Sequence, residues 1–82
     1  MLTANELRTL IVSGLPCRYV KVLGDDGQHF DAVIVSPLFT GKSRVQQHQL
    51  VYLALGDRMR SEIHALSMRT FAPDAWAESA TQ

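Results

Sequence analysis

Three histidines, His29, His48 and His64, and one cysteine, Cys17, are the side chains of this 82-residue chain best suited to metal binding or nucleophilic chemistry. His64 lies near the start of a stretch, Glu62 to Phe71, that reads as a β-strand. Alternation puts His64, Leu66 and Met68 on one face and Ile63, Ala65, Ser67 and Arg69 on the other. An imidazole at the mouth of an otherwise apolar face needs a partner, which can be a backbone group, a water or a metal. His29 stands at the base of a tight turn between two further strands, where a small sheet can present side chains outward. Two imidazoles are too few for a structural zinc, which takes four ligands. An iron–sulfur cluster shared with a second protein needs only two from this side, and histidine is an accepted cluster ligand. A hydrogen-bonded role for both histidines stays open beside the metal reading. His48 falls mid-helix and reads as a helix-face or structural residue.

Other arrangements carry less. Cys17 has only Arg18 beside it as an electropositive neighbour and follows Pro16, so it reads as a structural thiol. Asp25 and Asp26 are adjacent in a turn, so their side chains diverge, which suits solvation better than acid–base work. Thr40-Gly41-Lys42-Ser43 resembles the end of a phosphate-binding loop, but Ser36 stands where that loop needs its first glycine. Gly24-Asp25-Asp26-Gly27 has the spacing of a phosphate-clamping loop, but its acidic middle would repel phosphate. No nucleophile–base constellation is evident, and the chain reads as non-enzymatic.

The elements that must position these residues follow from punctuation and period. Thr3 and Glu6 form a capping box, Leu7, Leu10 and Ile11 share one face, and Gly14 and Pro16 stop the helix. Cys17 to Leu23 reads as a strand with Val20 and Val22 inward. The Asp26-Gly27 pair signals a hairpin, and the nearly all-apolar return from His29 to Ser36 reads as the central strand. Leu38 and Phe39, bracketed by Pro37 and Gly41, are expected to plug one end of the core. Ser43 and Gln46 cap a second helix, along which Val45, His48, Val51, Tyr52, Leu55 and Met59 recur at helical spacing. Gly56 weakens its last turn. After the third strand, Pro73 opens a short helix and Trp76, one turn in, is placed to dock on the sheet. The order is α-β-β-α-β-α. The hairpin is antiparallel, and the third strand, reached by a helical crossover, is parallel to the second. The expected fold is a two-layer α+β domain, a three-stranded mixed sheet with helices on one face, spanning residues 1–77, with a loose tail over 78–82.

Composition bounds the function. Formal charge is balanced at zero, which argues against a strong sequence-independent grip on nucleic acid. A lone cysteine suits a reducing compartment, no apolar run approaches a membrane span, and Thr3-Ala4-Asn5-Glu6 is no secretory leader; the simplest placement is cytoplasmic.

Five stretches together resemble the BolA-like proteins: Phe30 to Ser36, Phe39 to Ser43, Gln47 to Tyr52, Ile63-His64-Ala65-Leu66-Ser67 and Pro73-Asp74-Ala75-Trp76. The short Gly-Asp-Asp-Gly hairpin followed by His29-Phe30 is most similar to the short-loop bacterial acid-stress branch, the IbaG-type proteins. The resemblance implies a fold similar to type II KH domains. It also implies association with a monothiol glutaredoxin and a bridging [2Fe–2S] cluster, with glutathione on the partner's side. The family's cluster histidine falls on His64, and its second ligand comes from the loop between the first two strands, where this chain has His29. The family also includes members proposed to bind DNA. Many members flank the helix histidine with arginines, whereas this chain has Gln47-His48-Gln49. Lys42, Arg44, Arg58, Arg60 and Arg69 remain as a candidate basic patch for that alternative, and weak self-association is left open.

Overall fold

Helix α1 (Ala4–Gly14) starts where the capping box places it. The Thr3 hydroxyl accepts the Glu6 amide and the Glu6 carboxylate accepts the Thr3 amide. The helix buries Leu7 and Ile11 completely. The computed structural model describes residues 2–58 and 65–80. Met59, Arg60, Ser61, Glu62, Ile63 and His64 lie outside the described residues, as do Thr81 and Gln82.

Strand β1 (Tyr19–Leu23) begins two residues later than the sequence suggests. Pro16 has no N–H to give a ladder, and the Cys17 thiol turns back to donate to the Leu15 carbonyl. A loop then leads into β2 (His29–Val35). Only the glycines of this loop take positive φ, so Asp26-Gly27 is not the expected turn with both residues left-handed. Gly24 is required by close approach, because a Cβ there would lie 2.6 Å from the His29 carbonyl oxygen.

Strand β2 is central, as its apolar run implies. It pairs antiparallel with β1 and parallel with β3 (Ala65–Phe71), in the order β1-β2-β3. Phe30, Ala32 and Ile34 face one layer and are buried with Val20 against α1 and α2. Leu66 and Met68 of β3 pack against the same core, while Ala65, Ser67 and Arg69 are exposed, the alternation expected of this strand.

A 3₁₀ turn (Pro37–Phe39) leaves the sheet. Phe39 plugs the core as expected, but Leu38 stays 45% exposed. Helix α2 (Arg44–Leu55) carries the Ser43–Gln46 capping box. Its buried stripe is Val51 and Leu55, flanked by Leu50 and Ala54. Val45 and Tyr52, read as part of that stripe, are exposed. The helix is apolar on more than one side, so its period could not choose the inward face. Gly56 caps the helix at φ 59°, and Met59, read on the same stripe, lies outside the described residues.

Gln47 ties three elements together. Its amide nitrogen donates to the carbonyls of Phe39 (3.2 Å) and Lys42 (3.0 Å), and its carbonyl accepts the Thr70 hydroxyl (2.6 Å). Helix α3 (Pro73–Ala80) follows β3. It continues through Ala80, so residues 78–80 are helical and not the loose tail expected there. Trp76 docks on the sheet, stacked on Tyr19 at 5.2 Å and tilted against Phe71 at 5.3 Å. Tyr19, Val35 and Phe71 form one cross-strand row on the face opposite Phe30 and Ile34, so Trp76 covers one end of that second face.

Replacing Gln47 with Ala leaves the half-buried Thr70 hydroxyl without this acceptor and removes one donor each from the Lys42 and Phe39 carbonyls, the latter still accepting the Lys42 amide. The substitution is expected to lower stability by about 1–3 kcal/mol in urea unfolding. An unchanged midpoint would show that Gln47 does not hold the turn to β3.

Candidate metal centre

The hairpin loop is closed by a side chain that the sequence had suggested was merely solvated. Asp26 Oδ1 accepts the amides of Gln28 (2.9 Å) and His29 (2.8 Å), and Oδ2 lies 2.8 Å from His29 Nδ1. The carboxylate thus caps the start of β2 and grips the imidazole of its first residue. Asp26 is pulled far below the ordinary carboxylate range. The His29 amide contributes most, then the Gln28 amide and the His29 ring.

The grip fixes the chemistry of His29. With Nδ1–H donated to the carboxylate, the lone pair sits on Nε2. Among the described residues no hydrogen bond reaches Nε2, and the His29 side chain is 66% exposed. A carboxylate–histidine pair with the second nitrogen outward is the arrangement that orients imidazoles on metals. The fit to a metal ligand is therefore good on geometry as well as on residue type. The signal that could have revealed it was an acid three residues before a histidine inside a tight turn.

The parallel ladder brings the start of β3 to this point. Ala65 is the register partner of His29, and its amide donates to the Gln28 carbonyl at 3.0 Å. His64, the other ligand expected from sequence, is the residue before Ala65 and lies outside the described residues. Among the described residues no three of His, Cys, Asp and Glu gather as a metal site.

The remaining candidates stand elsewhere. His48 is half-buried in α2, where Nε2 is shielded from solvent and has no hydrogen-bond partner among the described residues. Burial, and then the Arg44 charge, push its pKa down and favour the neutral ring. Cys17 is half-buried, and burial raises its thiol pKa against the opposing pull of Arg8, so the unreactive thiol is favoured. Lys42 and Arg44 stand at the N-terminal end of α2, and Arg58 follows its other end, about 20 Å away along a helix of this length. Arg69 is on the sheet face opposite the two long helices, beside Val33 in the register. Arg60 lies outside the described residues. Among the described residues no helix is long and apolar enough to cross a membrane.

Fold and site define an α+β domain whose mixed sheet presents a carboxylate-held imidazole at its hairpin end. The sequence profile described as BolA-like protein matches residues 12–75. The acid stress protein IbaG of Escherichia coli K12 is 38% identical over 74 residues, covering 89% of this chain and 87% of that protein. The DNA-binding transcriptional regulator BolA of Haemophilus influenzae is 42% identical over 48 residues, 58% of this chain and 47% of that protein. The structure of a BolA homologue from Coxiella burnetii superposes with a TM-score of 0.80 at 39% identity, covering 94% of this chain and 99% of the other. The chain belongs to the BolA-like family.

Because the Asp26 carboxyl is depressed in the folded state, its contribution to stability is fully present above the unfolded value of about 3.9. It is lost as pH falls through the folded value. Asp26→Asn is therefore expected to unfold earlier than the wild type at pH 7, with the gap narrowing below about pH 4 in thermal melts. A gap independent of pH would contradict the ionised clamp.

Proposed function

We propose that this chain is a non-enzymatic accessory protein that pairs with a monothiol glutaredoxin and supplies His64 and His29 to a bridging [2Fe–2S] cluster. A glutaredoxin cysteine and its bound glutathione complete the ligand set. The work served is iron–sulfur cluster assembly or trafficking, or iron and stress regulation. The observation that carries this reading is His29, held through Nδ1 by Asp26 and paired in register with Ala65, the residue after His64. Membership of the BolA-like family supports it.

Within this reading each residue of the chain has a task. Asp26 holds the His29 ring through Nδ1 and orients Nε2 outward. The β2–β3 register sets the spacing between the hairpin and the start of β3. Imidazole in place of thiolate on one iron raises the reduction potential of such a cluster. It also makes ligation acid-sensitive, because a protonated imidazole has no lone pair to give.

The second reading, binding of DNA, draws on the name of the H. influenzae relative and on Lys42 and Arg44 at the start of α2. It predicts affinity that falls steeply with salt and drops when those two residues are neutralised.

The deciding experiment mixes the chain with a monothiol glutaredoxin, iron, sulfide and glutathione and records visible absorption and circular dichroism. A new spectrum saturating at one-to-one is expected. It should be lost in His64→Ala and altered in His29→Ala, while Asp26→Ala should weaken the complex about 10–100-fold. A glutaredoxin spectrum unchanged by the chain would overturn the proposal.

A further inference from the structure

Among the described residues, the sheet face turned away from α1 and α2 is covered at one end only, where Trp76 of α3 sits on Tyr19 and Phe71. The register sets the other side chains of that face in rows across the three strands. Next to the Tyr19–Val35–Phe71 row comes Lys21–Val33–Arg69, and then Leu23–Asp31–Ser67. Together they frame an open cleft of about 630 Å³, bordered by Tyr19, Trp76, Lys21, Arg69, Asp31 and Ser67 among others. Small-molecule sites ordinarily enclose about 300–1,000 Å³. His29 stands one row beyond Asp31 and outside the cleft, so the hairpin site does not account for it.

Lys21 and Arg69 give the cleft its charge. Both are exposed, and among the described residues neither side chain makes an ion pair or a hydrogen bond. They stand on the two outer strands, on either side of the half-buried Val33, with Cα atoms roughly 10 Å apart across two strand spacings. Both side chains are long enough to converge above Val33. A phosphate held there takes a point charge from the lysine and a forked pair of donors from the arginine. The aromatic row lies two residues to one side, roughly 7 Å along the strands. That is about the reach from the phosphate of a nucleotide to its base, and the rings of Trp76 and Tyr19 offer the base an aromatic wall. Asp31 lies two residues to the other side, where its carboxylate repels any further phosphate attached to the first.

We infer that this cleft binds a nucleoside monophosphate, its phosphate between Lys21 and Arg69 and its base against Trp76 and Tyr19. Charge complementarity selects the occupant. Two cations without a protein partner match one phosphate monoester, which carries about −1.5 to −2 at pH 7. Asp31 disfavours a longer phosphate chain and the repeating charges of a nucleic-acid strand. Inorganic phosphate lacks the ring that the aromatic wall would hold.

Nuclear magnetic resonance of the ¹⁵N-labelled full chain tests the cleft with no cluster or glutaredoxin present. Trp76 is the sole tryptophan, so its indole N–H gives one resonance at the base end of the site. Titration with adenosine monophosphate is expected to shift that resonance and the Val33 amide saturably. Adenosine and inorganic phosphate should each bind roughly tenfold more weakly, since each lacks one of the two contacts. Lys21→Gln and Arg69→Gln, both at exposed positions, should each weaken the nucleotide roughly fivefold with circular dichroism unchanged. Adenosine diphosphate should bind less well than the monophosphate, and Asp31→Asn should remove that difference. No shift at about 5 mM nucleotide, beyond the weak end of specific binding, would overturn the inference. So would inorganic phosphate binding as well as the nucleotide, or affinity indifferent to Lys21→Gln and Arg69→Gln. A short single-stranded DNA that binds the cleft more tightly than the mononucleotide would also overturn it and give the face to nucleic acid.

Discussion

The amide of Ala65 donates to the carbonyl of Gln28, and with that bond the parallel ladder between β2 and β3 begins. The arrangement of the chain depends on this register. It sets Leu66 beside Phe30 and Met68 beside Ala32, so both β3 residues turn toward the helices. A slip of one residue would turn Ser67 and Arg69 inward and leave the core unfilled. It sets Phe71 beside Val35, in the row that Trp76 covers. At the other end it sets Ala65 beside His29, so packing and site share one constraint.

The hairpin shows how a small loop is held in one conformation around an imidazole. Five residues separate β1 from β2, and a loop of that kind is ordinarily among the more mobile parts of a domain. Three contacts to one carboxylate oppose that tendency. Asp26 holds the backbone entry to β2 and the ring of its first residue together, so the imidazole is oriented by the fold as well as by its own rotamer. Gly24 lets the incoming strand pass within reach of the His29 carbonyl, where a side chain would clash. The acid, the glycine and the histidine act as one unit.

Much of this was readable before any coordinates. The two capping boxes, the central place of the apolar strand and the parallel return of β3 follow from local rules that tertiary contacts did not override. What escaped were choices that only packing makes. Helix α2 offers apolar residues on more than one side, and contact with α1 and the sheet selected Val51 and Leu55 over Val45 and Tyr52. Leu38 and Phe39 are equally apolar neighbours, yet only Phe39 points inward. Pro73 to Ala80 has helix formers enough to carry the helix past the point where polarity suggested a tail. Asp26 was visible as a turn residue, but its hold on His29 required the loop's actual path. His29 begins β2 at the base of the hairpin, as its position in the sequence suggested, and His64 lies outside the described residues.

The central claim is that this chain gives imidazole nitrogen to a metal cluster through the hairpin and the start of β3. Pulsed electron paramagnetic resonance on the reduced one-to-one complex with glutaredoxin, with this chain alone labelled with ¹⁵N, addresses it most directly. The account predicts strong couplings from imidazole ¹⁵N, reduced to a single nitrogen in His29→Ala. A reduced cluster with no ¹⁵N coupling beyond the weak backbone background would contradict it.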